Sequence, residues 1–390
     1  MFPLALCVVF VGLGGLVWVN YFVATYYIGE FAAFPEPVAN KLRRALYFTD
    51  ARLAPKEAIK YYREAFEVAQ ALGMDPLSPE VVGMKIKVAA FYEKIENIPR
   101  AIAVMESLKA ESLQWLEDHE DWKEELKRQQ EQKKQREEQH DEEQSEPETP
   151  EVNPASRRNF LLKRLIQVGA KLGEYYSSRY IEKRDKAEEN LVFAVETYLK
   201  EKQRREKEGV LEGEEDWIND EESGAALEVL AHHYEERDRH YLATPLFLQA
   251  LAHSPKDSCH SVVLMNNLSI SLAQQSPPPG AISASPYWSS PSRETLISQA
   301  RQWANKSIAL AGEIPRTNRS DECDVGCAVA LHNLGEFAEM EDRLDEAKRN
   351  YEEAQTFAKK IGFGDGIKNS KDGLQRVKQK ATKKPAQRSE

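Results

Sequence analysis

Cysteine is scarce in this chain, which has four cysteines among 390 residues. Cys7 lies in an apolar run, Cys259 stands alone, and Cys323 and Cys327 form a single C-x3-C pair. This is too few for a disulfide-rich scaffold, and the second ligand pair of a zinc site is missing. Because cysteines four apart on one helix are poorly placed to bond each other, we expect Cys323 and Cys327 to be separate thiols.

Catalytic sequence motifs are also missing. The chain contains no G-x-S-x-G, no Walker A sequence, no kinase motif set and no H-E-x-x-H. The stretch "HHYEERDRH" places His232 and Glu236 one helical turn apart, but a repeat register explains these residues without a metal. The glycines of "GFGDG", which begins at Gly362, follow a predicted helix and therefore indicate a helix end instead of a phosphate loop. The sequence predicts a protein that is not an enzyme and needs no metal or cofactor.

An excess of positive charge is lacking as well. The chain has 53 Lys and Arg against 64 Asp and Glu, which gives a net charge of -11. The whole chain is therefore no electrostatic match for nucleic acid. Charged residues make up 30% of the sequence and the mean hydropathy is -0.61, so much of the surface is expected to be solvated helix.

One long hydrophobic run stands out, and it covers residues 2–29 without a charged side chain. A helix over residues 4–28 would be ~38 Å long and could span ~30 Å of hydrocarbon with some tilt. Trp18 and Tyr26 lie toward one end, as in an interfacial aromatic belt. A buried core helix or a cleavable signal peptide are the alternatives, but the run is long for either. We predict that residues 1–29 are a permanent membrane anchor that contacts the lipid bilayer.

The rest of the sequence shows helical hairpins with small residues at fixed intervals. In "LHNLGEFAEMEDRLDEAKRNYEEA", Gly335, Ala347 and Ala354 take positions 8, 20 and 27 of a 34-residue tetratricopeptide (TPR) unit, where close helix packing requires small side chains. The same spacing recurs after residue 224 and, less completely, after residues 39, 82, 166 and 262. The predicted repeat-packing residues are Leu172, Gly173, Leu230, Ala231, Ala243, Ala250, Leu334, Gly335, Ala347 and Ala354.

These units predict an all-α fold, a tetratricopeptide-type superhelix of six hairpins, preceded by one transmembrane helix. Two of the hairpins are degenerate, and polar segments interrupt the array. The predicted divisions are an anchor at 1–29, hairpins 1–2 at 39–115, a charged low-complexity insertion at 117–156, hairpins 3–6 at 160–365 with insertions at 201–222 and 275–292, and a basic flexible tail at 366–390.

A stack of such hairpins presents a concave face, lined mainly by the first helix of each unit, that can bind a peptide or a helix. Each residue assigned to this face is equally compatible with an ordinary solvated side chain. The assigned residues are Ile86, Ala90, Glu93, Glu174, Glu228, His232, Glu235, Asn266, Ile270, His332, Glu336 and Glu339.

A clamp for a terminal carboxylate is a sharper interpretation of this face. Asn267 and Asn333 both take position 6 of their units, where such a clamp carries asparagine. The basic half is missing, because position 2 is Ala225, Val263 and Val329 in the last three units.

The order of one uncharged span, "YYREAFEVAQALGMDPLSPEV" and degenerate repeats resembles the fungal mitochondrial inner-membrane TPR proteins that act as substrate adaptors of the i-AAA protease. The resemblance covers roughly residues 4–365 without the insertions. It implies a domain in the intermembrane space, with no active site of its own, that binds unfolded proteins and hands them to the protease. The partners it implies are the i-AAA protease subunits and a fellow adaptor in the membrane.

Two other classes of function share this architecture. The first is a TPR receptor or co-chaperone anchored in the outer membrane or the endoplasmic reticulum, and the second is a structural scaffold of a membrane complex. Three N-x-S/T sequons, at Asn267, Asn305 and Asn318, bear on this choice, since glycans on them would indicate the secretory pathway.

Overall fold

The structure is a computed structural model that describes residues 31–139, 153–276 and 291–387. The described chain forms two compact units. The first contains the residues up to Ala187 together with Glu212–Glu214, and the second contains Glu188–Leu211 and the residues from Glu215 onward. The predicted anchor at 4–28 lies outside the described residues. None of the described helices is long and apolar enough to cross a membrane.

Within the described ranges the secondary structure is helical, with no β-strand, in agreement with the predicted all-α, TPR-like fold. The helices of the first unit are α1 (Glu36–Leu46), α2 (Pro55–Ala71), α3 (Pro79–Lys94), α4 (Ile98–Asp118), α5 (Trp122–Gln139) and α6 (Pro154–Ser177), with a π-helical turn at Tyr47–Ala51. Helix α7 (Arg184–Glu208) begins in the first unit and continues in the second. The second unit continues with α8 (Asp220–Glu235), α9 (His240–His253), α10 (Cys259–Gln274), α11 (Arg293–Glu313), α12 (Asp321–Met340), α13 (Leu344–Ile361) and α14 (Gly364–Gln387).

Several helix starts are fixed by local chemistry. The Ser78 side chain accepts a hydrogen bond from the Val81 amide at the start of α3, and Asn153 does the same for Ala155 and Ser156 at α6. Asn219 and Glu222 form a complete capping box at α8. These contacts satisfy backbone donors that a helix leaves unpaired at its amino end.

Consecutive helices pack as antiparallel pairs, and the small residues of the repeat register lie at the points of closest approach. Ala58 and Ala65 of α2 are fully buried beneath α1. Ala243 and Ala250 of α9 are equally buried in the core of the second unit. All ten predicted packing residues lie in the interior, namely Leu172, Gly173, Leu230, Ala231, Ala243, Ala250, Leu334, Gly335, Ala347 and Ala354.

Gly335 shows why one of these positions excludes even a methyl group. A Cβ at Gly335 would lie 2.7 Å from the Cδ1 and Cε1 atoms of Tyr351 on α13. A Cβ at Gly373 of α14 would lie 2.6 Å from Cζ of the same ring. The fully buried Tyr351 ring is therefore approached closely by two glycines on two different helices.

The prediction of a flexible tail at 366–390 differs from the structure, in which Gly364–Gln387 is helix α14. Gly362 ends α13 in the left-handed conformation with φ 75°, as the predicted helix stop requires, and a new helix begins two residues later. Val377 is buried against α13, and Ser370 and Gly373 are buried with it. The prediction of a flexible tail rests on its charge, since residues 366–390 contain eight Lys or Arg against two Asp or Glu.

The predicted insertions also contain ordered helix. Within 117–156, residues 122–139 form α5, and Trp122 and Leu126 are buried. Within 201–222, α7 continues to Glu208, where Glu201 is buried and pairs with Arg204 and Arg205. The parts at 140–152 and 277–290 lie outside the described residues.

The cysteines follow a different pattern from the predicted one. Cys259 at the start of α10 and Cys323 at the start of α12 form a disulfide across 64 residues of sequence. Cys327 is a free, buried thiol. The sequence did not reveal this bond, because the packing of α10 against α12 brings the two cysteines together.

Candidate functional site

A polar network centred on His232 occupies one face of α8 and α10 in the second unit. Its Nδ1 lies 3.0 Å from Glu235 Oε2, and its Nε2 lies 3.5 Å from Glu228 Oε1. The Asn267 amide nitrogen, from α10, lies 3.3 Å from His232 Nε2 and 3.5 Å from Glu228 Oε1. His260 Nε2 lies 3.0 Å from the other oxygen of Glu228. Three residues of this network, Glu228, His232 and Glu235, belong to the predicted groove. Their partners Asn267 and His260 were not among the residues predicted for it.

The two carboxylates make His232 a stronger base than a free histidine. Hydrogen bonds to Glu228 and Glu235 raise its pKa to about 9, although burial acts in the opposite direction. Burial opposes the ionisation of Glu228, but its contacts with His232 and His260 outweigh this effect and lower the pKa of that carboxyl. At neutral pH the network therefore holds an imidazolium between two carboxylates.

This arrangement disfavours a carboxylate clamp. Asn267 takes the position expected for a clamp asparagine, but its amide nitrogen donates to Glu228 Oε1. A ligand carboxylate placed beside it would meet the two carboxylates Glu228 and Glu235, of which the His232 imidazolium offsets only one charge. The face is better suited to polar or basic groups than to an acidic chain end.

Other residues assigned to the groove in the second unit are in the interior or are covered. Asn266 is buried, and its amide donates to the Gly326 carbonyl at 2.9 Å between α10 and α12. Ile270 packs against the apolar core. Asn266 thus holds two helices together, which corrects its assignment to an open groove, whereas the assignment of the half-buried Ile270 stays a prediction. The register places the helix correctly but does not fix which of two adjacent positions points outward.

Helix α14 covers the predicted groove residues of α12. Arg376 contacts both Glu336 and Glu339, and Lys380 lies 3.0 Å from Glu339. Glu339 is 8% exposed and accepts a hydrogen bond from the Tyr351 hydroxyl at 2.9 Å. Burial opposes its ionisation, but the bonds from Lys380 and Tyr351 outweigh this and lower its pKa. His332, also assigned to the groove, is half-buried beside the Tyr351 ring.

In the first unit, Glu93 and Glu174 meet at Lys171. Lys171 Nζ lies 2.8 Å from Glu93 Oε1 and 3.0 Å from Glu174 Oε2. Glu93 also accepts a hydrogen bond from the Tyr175 hydroxyl at 2.8 Å, so it joins α3 to α6. Ile86 packs into the adjoining apolar cluster, whereas Ala90 is exposed.

An apolar cleft in the first unit was not predicted from the sequence. It has a volume of about 370 Å³ and lies among Ile59 and Phe66 of α2, Val88 and Tyr92 of α3, and Val104 of α4. A continuation of about 320 Å³ shares Phe66, Val88 and Val104 and reaches Ala103. These apolar side chains are half-buried, and pairs such as Arg63 with Glu67 and Lys85 with Glu111 lie at the rim. Val88 and Tyr92 are apolar and recur at helical spacing, so periodicity alone does not distinguish them from core residues.

The described residues contain no group of three or more histidine, cysteine, aspartate or glutamate side chains that could hold a metal ion. The polar side chains of the His232 network bind one another, and the cleft of the first unit is lined mainly by apolar side chains. Both surfaces can therefore contact another polypeptide, the first through polar groups and the second through apolar side chains.

Comparison with known proteins gives limited but consistent similarity. No protein-family model matches the chain. A TPR repeat-containing protein of Schizosaccharomyces pombe is 29% identical over 160 residues, which are 41% of this chain and 42% of the relative. A Saccharomyces cerevisiae protein named MRG3-like is 36% identical over 73 residues, which are 18% of this chain and 16% of that protein. The aligned regions thus span less than half the length of either relative.

Among solved structures, TPR-like repeats of a Podospora anserina kinesin light chain give a TM-score of 0.43 at 12% identity and cover 74% of this chain and 99% of theirs. The TPR2AB domain of yeast Sti1, solved with an Hsp90 peptide, gives 0.28 at 13% identity and covers 87% of this chain and 98% of its own. These scores are too low to carry an argument. The comparisons indicate no enzymatic family. The hairpins with small residues at their contacts are TPR-like, and the partial similarity to the fission-yeast protein that is named for its TPR repeats agrees with this description.

Proposed function

We propose that this TPR protein is a non-enzymatic adaptor, anchored in the mitochondrial inner membrane, that binds unfolded proteins in the intermembrane space and delivers them to the i-AAA protease. The observation that carries the client-binding part is the apolar cleft of the first unit. The proposed link to the protease rests on the sequence resemblance, and the proposed membrane anchor rests on the uncharged span at 4–28. Its proposed partners are the protease subunits and a fellow adaptor in the same membrane.

The cleft has the chemistry that distinguishes unfolded from folded proteins. An unfolded chain exposes the apolar side chains that a folded protein buries. The cleft and its continuation, about 370 and 320 Å³, are each within the size range of ligand pockets and offer Phe66, Val88, Tyr92 and Val104 as contacts. Since the walls are apolar and the charges lie at the rim, the cleft selects hydrophobicity and not one defined sequence.

The Cys259–Cys323 disulfide supports a compartment outside the reducing cytosol. Disulfides persist in oxidising compartments and are rare in cytosolic proteins. A receptor domain that faces the cytosol from the outer membrane would meet reducing conditions. The disulfide therefore favours an intermembrane-space or luminal domain over a cytosolic one.

The test of client binding compares two exposed alanines of the first unit. Ala103→Glu places a charge at the cleft, whereas Ala110→Glu places the same charge on the same helix, α4, at a position that does not line it. We expect the full chain to bind a reduced, permanently unfolded protein and not its native form, with affinity falling about tenfold in Ala103→Glu and little in Ala110→Glu. Equal binding by both variants would show that the cleft is not the client site.

The location is tested by protease protection in fungal mitochondria. With a tag at the carboxyl terminus, the proposal predicts resistance to added protease in intact mitochondria and cleavage after the outer membrane is ruptured. Cleavage in intact organelles would support an outer-membrane receptor. A tag found in the endoplasmic reticulum with glycans on Asn305 or Asn318 would support a luminal protein instead.

A further inference from the structure

A second apolar cavity lies at the amino-terminal end of the first unit and shares Tyr62 with the lining of the client cleft. It has a volume of about 300 Å³. Phe31 and Phe34 line one side, Leu42 and Leu46 of α1 a second, and Gly83 and Met84 of α3 a third. Apolar side chains dominate this lining, and the cavity is within the size range of ligand sites.

The position of this cavity in the chain indicates what would enter it. Phe31 lies three residues after the predicted membrane span at 4–28, so a chain anchored through that span holds this cavity at the bilayer surface. Water in such a cavity would leave its apolar walls unfavourably hydrated. A phospholipid acyl chain is the apolar group available in quantity at that place.

The charges around the cavity match a zwitterionic lipid. Glu80 and Lys87 both line it and lie seven residues apart on α3, which is ~10 Å along the helix. Arg43, whose guanidinium lies 5.7 Å from the centre of the Phe31 ring, is paired with Glu36. The rim therefore offers both signs of charge to the phosphate and the ammonium group of one headgroup.

We infer that this cavity binds one acyl chain of a phospholipid from the membrane in which the protein is anchored. The inference rests on the proposed anchor. A bound lipid would fix the first hairpin against the bilayer.

Gly83 provides a variant that fills the cavity without disturbing the helix. A Cβ at Gly83 meets no atom within 4 Å, so a larger side chain has room to grow into the space. Leucine also favours helix over glycine, so Gly83→Leu is expected to fold. Gly312→Leu is the matched control, because Gly312 is likewise helical, with nothing within 4 Å of a Cβ, and lies in the second unit.

The experiment reconstitutes the full chain in phosphatidylcholine vesicles that contain a phosphatidylcholine with a diazirine near the end of one acyl chain. After illumination, peptide mass spectrometry measures adducts on α3 and on residues 4–28. We expect adducts at 79–87 in the wild type and in Gly312→Leu, and a fall of about tenfold in Gly83→Leu, equivalent to ~1.4 kcal/mol.

Three results would overturn the inference, and they separate it from the anchor. Equal α3 labelling in Gly83→Leu would show that the lipid does not enter the cavity. Labelling of 4–28 without labelling of α3 would leave the anchor standing and remove the lipid site. Release of the whole chain from the vesicles by alkaline carbonate would remove the anchor itself and the lipid site with it.

Discussion

The Tyr351 ring restricts which side chains can be accommodated at the positions packed against it. Its side chain is fully buried, with Gly335 and Gly373 both close to the ring and its hydroxyl bound to Glu339. A larger side chain at either glycine would overlap the ring. The small residue at position 8 of this repeat is therefore a steric requirement.

Gly335→Ala tests that requirement. The added methyl group would lie 2.7 Å from the ring, and overpacking of this kind costs about 1–3 kcal/mol. We expect a lower free energy of unfolding by urea denaturation. Gly312→Ala, where the methyl meets nothing within 4 Å, should be neutral or slightly stabilising. Equal stability of the two variants would contradict the packing account.

His232 gives a prediction about pH. Its pKa in the folded protein is about 9, above the ordinary value of 6.5, so the folded state binds the proton more tightly than the unfolded state. The resulting stabilisation is fully present below pH ~6.5 and is lost as the pH rises through ~9. His232→Gln should therefore destabilise the protein near pH 6 and have less effect above pH ~10.

The magnitude of this effect is limited by solvent. The His232 side chain is 43% exposed, so we expect a difference below ~1 kcal/mol, and an NMR titration of the imidazole is the more sensitive measurement. Glu235→Gln should lower the measured pKa of His232. An unchanged pKa in that variant would show that the hydrogen bond to Glu235 does not raise it.

At the scale of elements, α14 is a closing helix and not a free tail. Val377 is buried against α13, whereas Lys378, the next residue, is exposed. Val377→Asp buries a charge and should destabilise the second unit by at least ~3 kcal/mol, whereas Lys378→Asp should change stability by less than ~0.5 kcal/mol. Thermal unfolding and limited proteolysis of the carboxyl-terminal region measure both. Similar behaviour of the two variants would mean that α14 does not dock.

The disulfide joins two helix starts and should stabilise the second unit. It closes a loop across 64 residues, for which loss typically costs about 2–4 kcal/mol. We expect the double variant Cys259→Ser, Cys323→Ser to be less stable than the oxidised wild type by that amount. Reductant should lower the stability of the wild type to that of the variant and leave the variant unchanged. A reductant effect of the same size on both proteins would show that it acts elsewhere.

At the scale of the whole molecule, local spacing predicted the helical hairpins and their small contact residues. Ala58, Ala243 and Ala347 could be placed because each is fixed by neighbours within one hairpin. The features that the sequence did not reveal depend on distant residues. The Cys259–Cys323 bond, the cleft around Phe66 and Val104, and the docking of α14 all require helices that are not adjacent in a single repeat unit. Periodicity contains no information about such pairings.

The same distinction between local and distant contacts applies to the assigned groove residues. Glu228, His232 and Glu235 lie on successive turns of one face of α8, and this spacing brings them together. Asn266 of α10 is covered by α12, and Glu339 of α12 is covered by α14. The groove could be predicted as a helix face but not as a set of exposed atoms.

The most direct measurement of the central claim is the degradation rate of an unfolded inner-membrane reporter in fungal mitochondria that carry the wild-type chain, Ala103→Glu, Ala110→Glu or no chain. We expect fast, i-AAA-dependent degradation with the wild type and Ala110→Glu, and slow degradation with Ala103→Glu that matches the absence of the chain. Degradation at one rate in all four mitochondria would contradict the adaptor function.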